Sequence, residues 1–200
     1  MFVLTIDQRG SRRADDRVPE LLAGLAAAPD VRAVLAAERT VGDEVQLVVD
    51  DAASVVAAVE ICWRLGDWTL GVGVGAMDEP VATSTRAARG SAFLAAREAV
   101  ERAKRTPARL SIVQSSIDGG GDPYAADRAE AALWLLVAIE SRRTRRGWQV
   151  VDAVRAGGSQ RVAAAELGVS EQAVSQVLQA AGFAQTERGR ALAAWLLEQL

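Results

Sequence analysis

The chain has no histidine and a single cysteine, Cys62. The first absence removes histidine-based zinc sites and every nucleophile that depends on an imidazole; the second removes any internal disulfide. Cys62 lies in the apolar helical run Val55–Trp63, which marks it as a buried thiol. Lys104 is the sole lysine among 23 basic residues. That preference for arginine, with heavy use of alanine, is read as coding bias, since no local pattern requires it. No apolar run is long enough to cross a bilayer, and a hydrophobic share of 50% excludes a disordered chain. Met1 runs directly into Phe2-Val3-Leu4-Thr5-Ile6, with neither a basic region nor a small-residue cleavage site, so a cytoplasmic location is expected.

What is present is enough for one ordinary domain or two small ones: 200 residues, with 23 basic against 26 acidic side chains. The polar, glycine-rich stretch Ser115–Pro123 divides two textures. Before it, short apolar runs alternate with helical stretches. Strands are predicted at Phe2–Asp7, Val31–Glu38, Val45–Val49, Trp68–Val74 and Arg109–Val113, and helices at Val18–Ala28, Ala52–Leu65 and Ser91–Arg105. This βαββαβ order, extended by αβ, is the pattern of a ferredoxin-like plait, in which helices cover one face of the sheet and the other is free to bind. After the stretch every segment has helical periodicity. The expected fold is therefore α+β, with a ferredoxin-like domain at 1–114, a linker at 115–123 and an all-α domain at 124–200. The glycines of Gly71-Val72-Gly73-Val74-Gly75 alternate along a strand instead of opening a helix, which excludes a dinucleotide fingerprint.

In the second part, Tyr124–Arg146 reads as one long helix whose middle, Ala131–Ile139, is apolar on all sides and needs cover. It is the candidate dimerisation element, and the apolar run within Arg188–Leu200 needs cover as well. Between them, Gln160–Leu178 has the spacing of a helix-turn-helix. Ala164 allows a close crossing, Gly168 ends the first helix, Ser170 caps the second, and Leu167, Val169, Val174 and Val177 form the small core. An αα-hairpin that touches no DNA has the same pattern. With the apolar positions turned inward, Gln172, Ser175, Gln176 and Gln179 point outward, side chains suited to base edges. The segment from Asp122 onward holds nine arginines against nine acids, so attraction to phosphate would come from Arg161 and from Arg142, Arg143, Arg145 and Arg146, with Gln160, which opens the motif, and Ser170 as further expected DNA contacts.

Four stretches, Leu4–Ser11, Glu38–Val45, Leu70–Gly75 and Ala95–Arg97, resemble the palm domain of class III nucleotide cyclases, and more distantly that of diguanylate cyclases. The whole chain looks like the small SatD-type proteins of bacteria. The resemblance implies that Asp7 and Asp43 hold Mg²⁺ against a nucleotide, a role suited to paired carboxylates at strand ends. It also places Arg39 at the base-selecting position and Arg97 at the position that stabilises the transition state. The alternative is that both aspartates are ordinary turn and strand-end residues. The sequence departs from the family where Phe93 replaces an asparagine, where no second base-selecting residue stands between Val74 and Gly90, and in the short length of the domain. These departures imply a palm without catalysis that retains nucleotide binding. The expected protein is a dimeric, sequence-specific regulator of double-stranded DNA, modulated by a nucleotide or cyclic dinucleotide. An active metal-dependent cyclase and a pure interaction protein are the alternatives.

Overall fold

The computed structural model describes residues 1–11, 13–80, 82–115 and 122–200. Among them, β1 (Phe2–Gln8), β2 (Ala33–Arg39), β3 (Glu44–Val49), β4 (Trp68–Val74) and β5 (Leu110–Gln114) form one sheet in the order β2-β3-β1-β4-β5. The strands are joined by α1 (Val18–Ala27), α2 (Ala52–Leu65) and α3 (Ser91–Ala103), and α4 (Ala125–Glu140), α5 (Arg145–Gly157), α6 (Gln160–Leu167), α7 (Glu171–Ala180) and α8 (Phe183–Leu197) follow. The class is α+β. β1 lies antiparallel between β3 and β4, with Leu4 opposite both Leu47 and Val72, and β5 runs parallel to β4. Each βαβ crossover, β1-α1-β2 and β3-α2-β4, leaves room for one antiparallel strand between its ends. The central glycines of the expected linker fall at 119–121, outside the described residues.

Alternation along the strands sets the layers. Leu4, Ile6, Val45, Leu47, Leu70, Val72, Leu110 and Ile112 point to one face, where they share a core with Leu21, Val55, Val59 and Cys62 of α1 and α2. Leu133, Leu136 and Val137 of α4 and Ala193 and Leu197 of α8 belong to that same core, so the apolar stretches that needed cover find most of it on the sheet. Burial pushes the Cys62 thiol up to about 12, in keeping with an inert buried residue. A second, smaller core joins Val150, Val151 and Val154 of α5 to Ala163, Ala164, Val174 and Leu178 of α6 and α7. No helix among the described residues is long and apolar enough to cross a membrane.

Two expectations are corrected. The stretch Tyr124–Arg146 is not one helix: α4 stops at Glu140, and Thr144 starts α5 by accepting a hydrogen bond from Gly147 N at 3.1 Å. A capping threonine satisfies the free N–H groups of a new helix, which the continuing apolar periodicity concealed. Nor is the second face of the sheet left free. Val3, Leu35 and Val48 lie there beneath Ala92, Phe93 and Ala96 of α3. α3 reaches that face because β4 has glycine at Gly71 and Gly73, where added Cβ atoms would lie 2.2 Å from Val100 N and 2.1 Å from Ala96 N. What remains open is a cleft between α3 and the β2–β3 hairpin.

The packing of α3 yields a test. Gly73→Ala forces two backbones apart, which overpacking data place at about 1–3 kcal/mol or beyond. The expected outcome is a large drop in the urea midpoint with cooperativity retained or lost altogether; a midpoint within error of wild type would contradict the backbone contact.

Candidate functional site

Three regions gather candidate side chains: the α6–α7 pair, the sheet-face cleft, and the junction between the two cores.

The α6–α7 pair is built from local signals. Ser159 caps α6 by accepting from Val162 N at 3.2 Å. Gly168 adopts the left-handed conformation (φ 64°, ψ 37°) that ends it, and Val169 N donates back to Ala164 O at 3.0 Å. Ser170 then caps α7, accepting from Ala173 N at 3.2 Å, with Glu171 in the first turn. Val174 and Leu178 are buried against α5, while Leu167, Val169 and Val177 are only partly so. Gln172, Ser175, Gln176 and Gln179 are all exposed and share one surface, and Gln160, Arg161 and Ser170 are exposed as well. Arg142, Arg145 and Arg146 are exposed around the start of α5. Arg143, expected beside them, is withdrawn from that surface. Its side chain is wholly buried, with Nε donating to Ala181 O at 2.8 Å and Nη2 donating to Thr186 Oγ1.

On the sheet, the residues expected to serve a nucleotide are dispersed. Arg97 lines the cleft, a cavity of about 810 Å³ that also takes in Glu44, Gln46, Thr85, Arg86, Arg89 and Phe93. Arg39 instead spans both carboxylate oxygens of Asp16 at 2.6 Å. Asp7 sits opposite Glu44 and Thr69 in the sheet and pairs with Lys104 Nζ at 3.0 Å, while Asp43 is half-buried in the β2–β3 turn. Among the described residues no group of three or more carboxylates or thiols is gathered closely enough to hold a metal ion. As placed, the Asp7 carboxylate that a Mg²⁺ ion would need is engaged by the Lys104 ammonium group.

The junction was not anticipated. Glu60 of α2, 7% exposed, accepts from Arg155 Nη1 of α5 at 2.8 and 3.1 Å and from Arg190 Nη1 of α8. Arg155 continues to Glu187 at 2.7 Å, and Arg64 grips both oxygens of Asp152 at 3.0 and 2.6 Å. The guanidinium groups of Arg64 and Arg143 lie 4.4 and 4.6 Å from the ring centre of Trp148. Glu140 is buried nearby, 3.6 Å from Arg143 Nη1. Burial raises its carboxyl to about 7, helped by the charge of Glu60 and opposed by Arg143, Arg190 and Arg155. Burial also lowers the pKa of Arg143. The one signal in the sequence was an isolated glutamate within an apolar helix, and it does not say which arginines, about a hundred residues away, will meet it.

No family model, curated protein or solved structure matches the chain.

Glu140 makes stability depend on pH. Its folded pKa lies above the usual 4.5, so its favourable contribution is complete below about pH 4.5 and disappears as pH rises through about 7. Glu140→Gln should leave stability unchanged near pH 5 and increase it relative to wild type by on the order of 2–3 kcal/mol at pH 8. Thermal melts across that range decide; parallel curves for the two proteins would contradict the assignment.

Proposed function

We propose that the protein is a sequence-specific DNA-binding regulator that works as a homodimer, with α6 and α7 as a helix-turn-helix and α7 as its recognition helix. The observation that carries this reading is the exposed face of α7, which presents Gln172, Ser175, Gln176 and Gln179 beyond the Ser170 cap with no hydrophobic residue among them. Amide side chains at this spacing suit hydrogen bonding to base edges in the major groove, and glutamine is matched to adenine. Arg161 near the start of α6, with Arg145 and Arg146 at the start of α5, supplies positive charge for phosphates in a chain whose net charge is −3. Two copies would set two recognition helices one DNA turn apart, which offsets the lack of basic residues on α7 itself.

The sheet is read as a ferredoxin-like, cyclase-type palm, a reading supported by the antiparallel order β2-β3-β1-β4. Its cleft, with Arg86, Arg89 and Arg97 along the lining, is the place for a nucleotide effector, bound through arginine–phosphate contacts rather than through Asp7 and Asp43. Such a ligand changes DNA affinity only by favouring one arrangement of the helix-turn-helix units over another.

Gel shifts on fragments flanking the protein's own coding region, against random duplex at low and physiological salt, test the main reading. Retardation no stronger than that of random DNA would overturn it. Gln176→Ala should weaken specific binding roughly tenfold and leave non-specific binding intact. Arg161→Ala should weaken both and reduce the salt slope by about 1. For the effector, Arg97→Ala should abolish any nucleotide-dependent thermal shift.

A further inference from the structure

Helix α4 is covered by the sheet on one side, but its solvent side carries the sequence Asp127, Ala131, Leu135, Ala138 and, in the turn just past its end, Arg142, all exposed. Steps of four, four, three and four residues keep these positions on one stripe, about 22 Å long at helical rise. Leu135 is 68% exposed and borders an apolar groove of about 620 Å³ lined by Trp63, Pro107, Ala108, Trp134 and Ala138. Among the described residues, no charged one lines that groove.

The stripe is symmetric about a point between Trp134 and Leu135. Ala131 and Ala138 stand equally far from it, as do Asp127 and Arg142, and the two ends carry opposite charges. A surface that complements itself when turned through a two-fold axis is what an isologous dimer requires. We infer that α4 packs antiparallel against α4 of a second copy, with the axis beside Leu135. In that arrangement Asp127 faces the partner's Arg142 at each end, alanine meets alanine so that the helices approach closely, and each Leu135 enters the groove beside Trp134. Parallel pairing would set like charges against each other. Because the lining is uncharged, the axis brings no charge onto its own copy. Arg128, the neighbour of Asp127, is already taken by Asp122, and Arg102 approaches Asp127 only at 4.0 Å, so Asp127 remains available at 65% exposure.

The inference deepens the homodimer proposed above and does not rest on DNA binding, because its readout is mass. Sedimentation of the full chain at micromolar concentrations should give a dimer, and Leu135→Glu, a change at an exposed position, should give a folded monomer by circular dichroism. Asp127→Arg and Arg142→Asp each place like charges at both ends and should weaken association at least about tenfold. Mixed in equal amounts, these two variants should recover the dimer, since each supplies the charge the other needs at both ends. A monomeric wild type, or a dimer indifferent to Leu135→Glu, overturns the interface. Failure of the mixture to recover overturns the antiparallel pairing. A dimer that passes every step but retards no DNA would leave this interface standing and remove the regulatory reading.

Discussion

A single carboxylate, Glu60, holds the molecule's two cores in register. It receives arginines that lie 95 and 130 residues further along the chain, one on α5 and one on α8. The apolar clusters on either side are distinct: one ends with α4 and α8 on the sheet, and the other lies among α5, α6 and α7 with Phe183 of α8 packed against it. Charge therefore works with the apolar contact of Phe183 to set the attitude of the three-helix unit. A buried ion recovers its desolvation cost only through well-placed partners, so the arrangement tolerates few alternatives. Trp148, flanked by Arg64 and Arg143, and the pairing of Arg64 with Asp152 extend the same contact outward. Orientation set this way is directional, whereas apolar packing alone would allow the unit to slide.

Helix α4 is where these constraints meet. One side, with Leu133, Leu136 and Val137, is spent on the core beneath it. Its last residue, Glu140, enters the charged junction, and four residues later Thr144 starts α5. Its outer stripe is left without cover by the described residues. The same element thus fixes the body, borders the ionic contact and faces outward, and an event at any of these places is felt by the others through a rigid rod of about four turns.

Much of this was legible in the sequence, and the parts that were not share a cause. Strands such as Trp68–Val74 announce themselves by local alternation, and Gly168 and Ser170 place the turn between α6 and α7, because the physics of a strand or a cap is contained in a few neighbouring residues. The alternating glycines of β4 mark a strand, yet what packs against them, the backbone of α3, lies further along the chain at Ala96 and Val100. Arg143 looked like a member of an exposed basic cluster, since composition cannot tell a guanidinium facing water from one that closes the end of another helix. Arg39 and Asp7 likewise stand where expected in the chain, but their partners, Asp16 and Lys104, are chosen by the fold.

The pair between Asp7 and Lys104 gives the protein an unusual chemical handle. Lys104 is the chain's only lysine, and its amine lies 2.5 Å from Glu101 and 3.0 Å from Asp7, contacts that raise its pKa against the opposing effect of partial burial. An amine-directed acylating reagent therefore finds one side-chain address in 200 residues, and it finds that amine largely protonated and slow to react. The rate of acylation at this lysine depends on how often the ion pair opens, and the acylated product is a chain in which the Asp7 carboxylate has been freed without any mutation.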